Sequence, residues 1–213
     1  MRGRRSTGMV LWLLAGSLLF MGTGSTATAG EYASGFGFAI SVPDVYLVLT
    51  RDEIQKNAEL FLGSEDGGGY EEIPSAMRRE VYQRVVSGQI EIFYRTEGVA
   101  LNFVDNVNVM SQRAELPRSA EQLAEVCRIL PGEFSRMFGR PIGLDGCEMR
   151  RVGGRPALYL AFDGAVEGTK TMQYQVQRQT GETVILTATS TRTNLTRMQS
   201  EFEQMVASMR PSH

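Results

Sequence analysis

The sequence predicts an α+β fold in which an antiparallel sheet is flanked by helices. Short runs rich in Val, Ile, Phe, Tyr and Thr alternate in polarity between glycine-bearing turns. Four stretches with apolar residues three or four apart interrupt them, as amphipathic helices do. The last four strand-like runs follow one another across connections too short for a helical crossover, so they must pair antiparallel.

Taken in order, Phe36, Phe38, Ile40 and Val42 alternate with small or polar residues up to Pro43, and Val45 to Leu49 forms a second short strand. Thr50 and Glu53 have capping-box spacing, and Ile54, Ala58 and Phe61 share the face of a helix over about 51–62. The glycine- and acid-rich stretch 63–69 lacks the alternating oxygen ligands of a calcium loop and reads as a surface loop. Pro74 suits a first helical position, and Ile73, Met77, Val81 and Val85 repeat every four residues up to Gly88, giving a helix over about 74–87. Strands over 89–95 and 99–110 follow, joined by a turn at Glu97-Gly98. Ser119 and Gln122 open a third helix that carries Leu123, Val126, Cys127 and Leu130 on one stripe, with an interruption or kink expected at Pro131-Gly132, beyond which Phe134, Met137 and Phe138 continue an apolar face to Gly139. A meander of four strands is expected over 147–152, 156–162, 170–178 and 182–190. Asn194 is placed to cap a last helix, whose stripe is Leu195, Met198, Phe202, Met205, Val206 and Met209 and which Pro211 ends. That helix start is favoured over reading Asn194-Leu195-Thr196 as a glycosylation sequon.

The N-terminus reads as an export signal. Arg2, Arg4 and Arg5 precede an apolar run from Met9 to Met21, and Ala27-Thr28-Ala29 supplies small residues for cleavage before Gly30. A membrane-spanning helix needs about 20 apolar residues; this run has 13, and no later one reaches that length. The domain plan is therefore a cleaved segment 1–29 and one domain over 30–213 with a helical insertion near 51–88. Cleavage removes three arginines and no acids, leaving 19 basic against 24 acidic residues and a formal charge of −5. With no dense basic block, nucleic acid is not an expected partner.

The chain's one histidine, His213, lies at the C-terminus, where chain ends are seldom fixed, so histidine-based nucleophilic and metal chemistries are not expected. No metal site and no cofactor are predicted. Cys127 and Cys147 are the only cysteines, and for an exported chain their even count favours a structural disulfide over free buried thiols or a redox pair. Glu91, Asp105, Glu148 and Asp163 lie in or beside strands, where a carboxylate-based hydrolase is one reading and solvated or arginine-paired charges the favoured one. Asp105, Asn106 and Asn108, with Gln173, Gln175 and Gln177 on the polar side of the strand carrying Met172, Tyr174 and Val176, are the candidate ligand- or partner-facing residues. Spacing on a strand sends Asp105 to the face opposite the two asparagines.

The order of elements, with Asp105-Asn106-Val107-Asn108-Val109, the capped helix at 119–130, the Gly153-Gly154-Arg155-Pro156-Ala157 turn, Gln173-Tyr174, Leu186-Thr187-Ala188-Thr189 and the final Val206-Ala207-Ser208-Met209, resembles the PsbP and DcrB type of α/β/α sandwich. The resemblance covers most of the chain after residue 29; the glycine-rich stretch 63–69 and the second helix stand outside it. It implies a small exported binding or assembly factor and transfers no functional residues. The expectation is thus a non-catalytic module of the envelope or periplasm whose partner is an envelope protein or a small ligand, with a carboxylate hydrolase as the alternative.

Overall fold

The computed structural model describes residues 30–56, 75–98 and 103–212. The export signal, the end of the first helix, the 63–69 stretch, Pro74, the chain at 99–102 and His213 lie outside them. Among the described residues the strands are β1 (Gly30–Ser34), β2 (Phe38–Val42), β3 (Tyr46–Leu49), β4 (Glu91–Arg95), β5 (Asn106–Gln112), β6 (Leu144–Val152), β7 (Arg155–Asp163), β8 (Thr169–Gln179), β9 (Glu182–Thr191) and β10 (Arg210–Pro211). The helices are α1 (Arg51–Lys56), α2 (Ser75–Val86), α3 (Ala120–Phe138) and α4 (Leu195–Ala207).

Seven strands form one antiparallel sheet in the order β3-β4-β5-β9-β8-β7-β6, and β1-β2-β10 form a second, smaller one. The expected meander is β6 to β9. Its turns at Gly153-Gly154 need backbone with positive φ (54° and 79°), which glycine adopts without a Cβ penalty.

Four expectations change. β1 was not legible as a strand, and it forms by pairing along β2, Gly30 opposite Val42 through Ser34 opposite Phe38. β4 and β5 pair with Tyr94 opposite Asn106, a register that a tight turn at 97–98 does not give; of the strand expected over 99–110, β5 from Asn106 is the described part, and 99–102 lie outside the described residues. α3 runs unbroken through Pro131; Ser119 Oγ accepts from the Gln122 N–H at 3.3 Å, Gln122 accepts from the Arg118 N–H at 2.8 Å, and Gly139 (φ 68°) ends the helix. The Asn194 side chain makes no cap bond; its amide donates to Gly98 O (3.0 Å) and Asp105 Oδ2 (2.8 Å). Beyond α4, Arg210 and Pro211 pair with β2.

Alternation along the strands gives the large sheet two faces. On one, Val107, Val109, Leu186, Tyr174 and Ala157 form the main core with Phe38 and Ile40 of the small sheet and with Met198, Phe202 and Met205 of α4. Glu201 and Glu203 project to either side of the buried Phe202, because neighbours of a helical residue diverge around the axis. Glu201 accepts from Tyr46 Oη (2.7 Å) and from Arg95 Nε (3.0 Å); Glu203 accepts from Tyr174 Oη (2.7 Å) and Arg150 Nη1 (3.0 Å). Burial first and the acceptor glutamate second push both tyrosine hydroxyls above their ordinary range, so each stays a proton donor. The Arg150 guanidinium also lies 3.6 Å over the Tyr159 ring. These contacts fasten α4 at both flanks.

On the opposite face, α1 and α2 cover β3 and β4 through Ile54, Val81, Val85 and Ile92. α3 covers β7 and β6 through Leu158, Leu160 and Phe162, with Leu130 and Phe134 packed against them. At the end of β7, Asp163 accepts from Lys170 Nζ (2.8 Å), the Gly143 N–H (3.0 Å) and Arg192 Nη2 (3.1 Å). The Lys170 hydrogen bond, helped by the others, holds its carboxyl below the usual range. A folded value below the unfolded one stabilises the fold above the unfolded carboxylate pKa, about 3.9, and the contribution is lost as pH falls through the folded value. Asp163→Asn is therefore expected to lower the urea midpoint at neutral pH, with the gap to wild type closing in strong acid. A gap of equal size at both ends of the pH series would contradict that assignment.

Candidate functional site: a groove over the central strands

The described helices at its two ends leave part of this second face uncovered over β5, β9 and β8. Register brings their outward residues into four rows: Asn106-Thr189-Thr171, Asn108-Thr187-Gln173, Met110-Ile185-Gln175 and Gln112-Thr183-Gln177. Threonine suits this position because its branched side chain favours a strand while its hydroxyl faces polar neighbours. The amides are linked: Gln175 Nε2 donates to Gln173 Oε1 (2.8 Å), and Gln173 Nε2 donates to Thr187 Oγ1 (3.0 Å). Gln177 is tied to the β8-β9 turn through the Glu182 carbonyl (3.0 Å) and accepts weakly from the Leu116 N–H (3.4 Å).

A groove of about 500 Å³ runs along these rows, within the range of small-ligand sites. Its wall is the apolar face of α3, with Leu130, Phe134, Met137 and Phe138, and the 163–169 connection closes one end through Ala165 and Val166. Three large apolar side chains are exposed among the described residues, Ile129, Met137 and Val166, and two of them stand in this lining. Clustered apolar exposure of that kind marks contact surfaces more often than single exposed residues do.

The wall is held in an unusual way for a 19-residue helix, since none of its residues is fully buried. The disulfide Cys127–Cys147, with Cα atoms 5.9 Å apart, ties it to β6. The bond thus joins the groove's helical wall to the sheet.

Five of the six candidate residues share this face. Asn106, Gln173 and Gln175 line the groove, while Asn108 and Gln177 lie in the same rows outside the lining. Asp105 is elsewhere: it is buried and accepts from the Thr191 N–H (3.0 Å) and from Asn194, which makes it a clamp between the β5 entry and the start of α4. Thr171 carries no signal in the sequence, Thr187 and Thr189 stand there only as part of the Leu186-Thr187-Ala188-Thr189 motif, and the α3 wall reads there as a core stripe. The alternating threonines of β9 were visible as a pattern, but only strand order shows that they adjoin the glutamines of β8.

The carboxylates considered for hydrolysis are each engaged with partners of their own. Buried Glu91 accepts from Ser34 Oγ and the Gly35 N–H, both at 2.7 Å, and so fastens the β1-β2 turn to β4. Glu148 pairs with Arg150 (2.7 Å), as the favoured reading of that residue expected, and Asp163 and Asp105 hold the contacts given above. Arg95 pairs chiefly with Glu201. Among the described residues no three His, Cys, Asp or Glu side chains gather to hold a metal ion, and no helix is long and apolar enough to cross a membrane.

No family model and no curated protein sequence matches the chain. Solved structures do. The PsbP protein of the cyanobacterium Synechocystis (CyanoP) superposes with a TM-score of 0.53 at 11% identity, over 93% of this chain and 99% of its own. LpqN of Mycobacterium tuberculosis, described as involved in cell envelope biogenesis, gives 0.48 at 12% identity over 89% and 88%. The chain has the PsbP-like α+β fold that its element order resembled.

Proposed function

We propose that this chain is an exported, non-catalytic binding or assembly module of the cell envelope and that the groove over β5, β9 and β8 is its working surface. The observation that carries the reading is the composition of the groove. It is ligand-sized, it has a hydrogen-bonding floor and an apolar wall, and the arginines and carboxylates of the central framework are engaged in ion pairs that hold helices and turns. A surface of that kind recognises and holds; it offers no paired acid and base at its centre. The PsbP-like fold agrees with this without establishing it, because one fold hosts many functions. The signal-like N-terminus supports delivery across the membrane.

The test is affinity capture from the native envelope with the mature chain, run beside Met137→Glu, together with an assay against sugar and ester substrates. A partner retained by the wild type and lost with the rim variant, without turnover, is the expected result. Turnover of a sugar or ester with no retained partner would replace the binding module by the hydrolase.

A further inference from the structure

We propose that the groove takes a short uncharged peptide segment of a partner protein, its main chain laid over the amide rows and its apolar side chains set against α3. This rests on the reading of the groove as the binding surface and names the chemistry of its occupant. Seventeen described residues line the groove, none of them Asp, Glu, Lys or Arg, in a chain of which 22% is charged. A charged group entering would give up water and meet no counter-charge, which disfavours it strongly.

The floor and the wall together select among neutral ligands. A primary amide has two N–H donors and a carbonyl acceptor. Gln175 spends one donor on Gln173, and Gln173 spends one on Thr187, so each keeps a second N–H for a ligand. Those groups complement the alternating N–H and C=O of a peptide main chain. A plain hydrocarbon would bury them unpaired, at a cost. A polyhydroxylated ligand would satisfy them and leave the Leu130, Phe134 and Met137 wall in contact with polar groups. An extended peptide meets both demands, and methionine at the rim adapts to the side chain it meets.

The experiment is an NMR titration of the mature, disulfide-intact chain with acetyl-Gly-Phe-Ala-Leu-Gly-amide, with versions carrying Asp or Lys in place of Phe, and with octyl glucoside as a neutral non-peptide. Expected are shifts centred on Thr171, Gln173, Gln175 and Thr187, with affinity for either charged peptide lower by about tenfold or more, equivalent to about 1.4 kcal/mol. Met137→Glu and Val166→Glu change side chains that are 72% and 50% exposed, so they leave folding intact, and each should weaken the neutral peptide by a similar factor. Equal binding of charged and neutral peptides, shifts centred elsewhere, preference for octyl glucoside, or no peptide binding at millimolar concentration would each overturn the proposal. Groove-dependent capture from the envelope that survives any of these results would leave the binding-module reading standing and remove only the peptide.

Discussion

Phe202→Ala is expected to destabilise the fold by about 3–5 kcal/mol, the range for emptying a buried phenylalanine site. Phe202 is fully buried in the main core, with its ring 5.8 Å from that of Tyr174. The upper part of the range applies because the helix has little freedom to settle into the vacated space. Glu201 is held by Tyr46 and Arg95 on one flank, and Glu203 by Tyr174 and Arg150 on the other. A cavity that neighbours cannot collapse into costs both the lost burial and the void. For a domain of this size the loss corresponds to a fall in Tm of roughly 10 °C. Chemical denaturation of the variant checks the figure, and a loss below about 1 kcal/mol would show that α4 repacks and that the acidic anchors do not fix it.

Cys127→Ser combined with Cys147→Ser produces the second large effect, and a more local one. Removing the cross-link across 20 residues is expected to cost about 3 kcal/mol of global stability. Hydrogen exchange should show more. α3 contributes no fully buried residue, so its amides over 120–138 should lose protection well before those of β8 and β9, whose inner residues lie in the main core. Since α3 is the apolar wall, peptide binding should weaken in the same variant even at temperatures where the sheet is intact. Uniform loss of protection across the molecule would show that the bond stabilises the whole fold and does not specifically hold the wall.

Much of the fold was legible because its signals are local. The β6 to β9 meander is built from adjacent hairpins whose turns and polarity alternation lie within a few residues of each other. The start of α3 is written in Ser119 and Gln122, and the buried stripe of α4 in Met198, Phe202, Met205 and Val206. What stayed hidden depends on distant partners. β1 has the sequence Gly-Glu-Tyr-Ala-Ser, with little strand preference of its own, and exists because β2 offers it an edge. The Asn194 amide abandons its expected cap for Asp105, a residue far back in the chain that no local pattern connects to it.

The site divides along the same line. Strand alternation alone placed Gln173, Gln175 and Gln177 on a polar face and separated Asp105 from Asn106 and Asn108. Turning that face into a groove required the β5-β9-β8 order and the gap between α2 and α3. Neither can be read from one stretch of chain. The α3 stripe looked like an ordinary core face, whereas part of it, Met137 above all, stands open beside the amide rows.

Photo-crosslinking in the native envelope tests the groove's role most directly. A photoreactive residue in place of Met137 reports on the groove, and one in place of the exposed Gln204 of α4 reports on the opposite side of the sheet. A discrete protein adduct from position 137, absent from position 204 and lost when the disulfide is removed, is the predicted result. Adducts of equal yield from both positions, or from 204 alone, would contradict the assignment of the groove as the surface through which this protein acts.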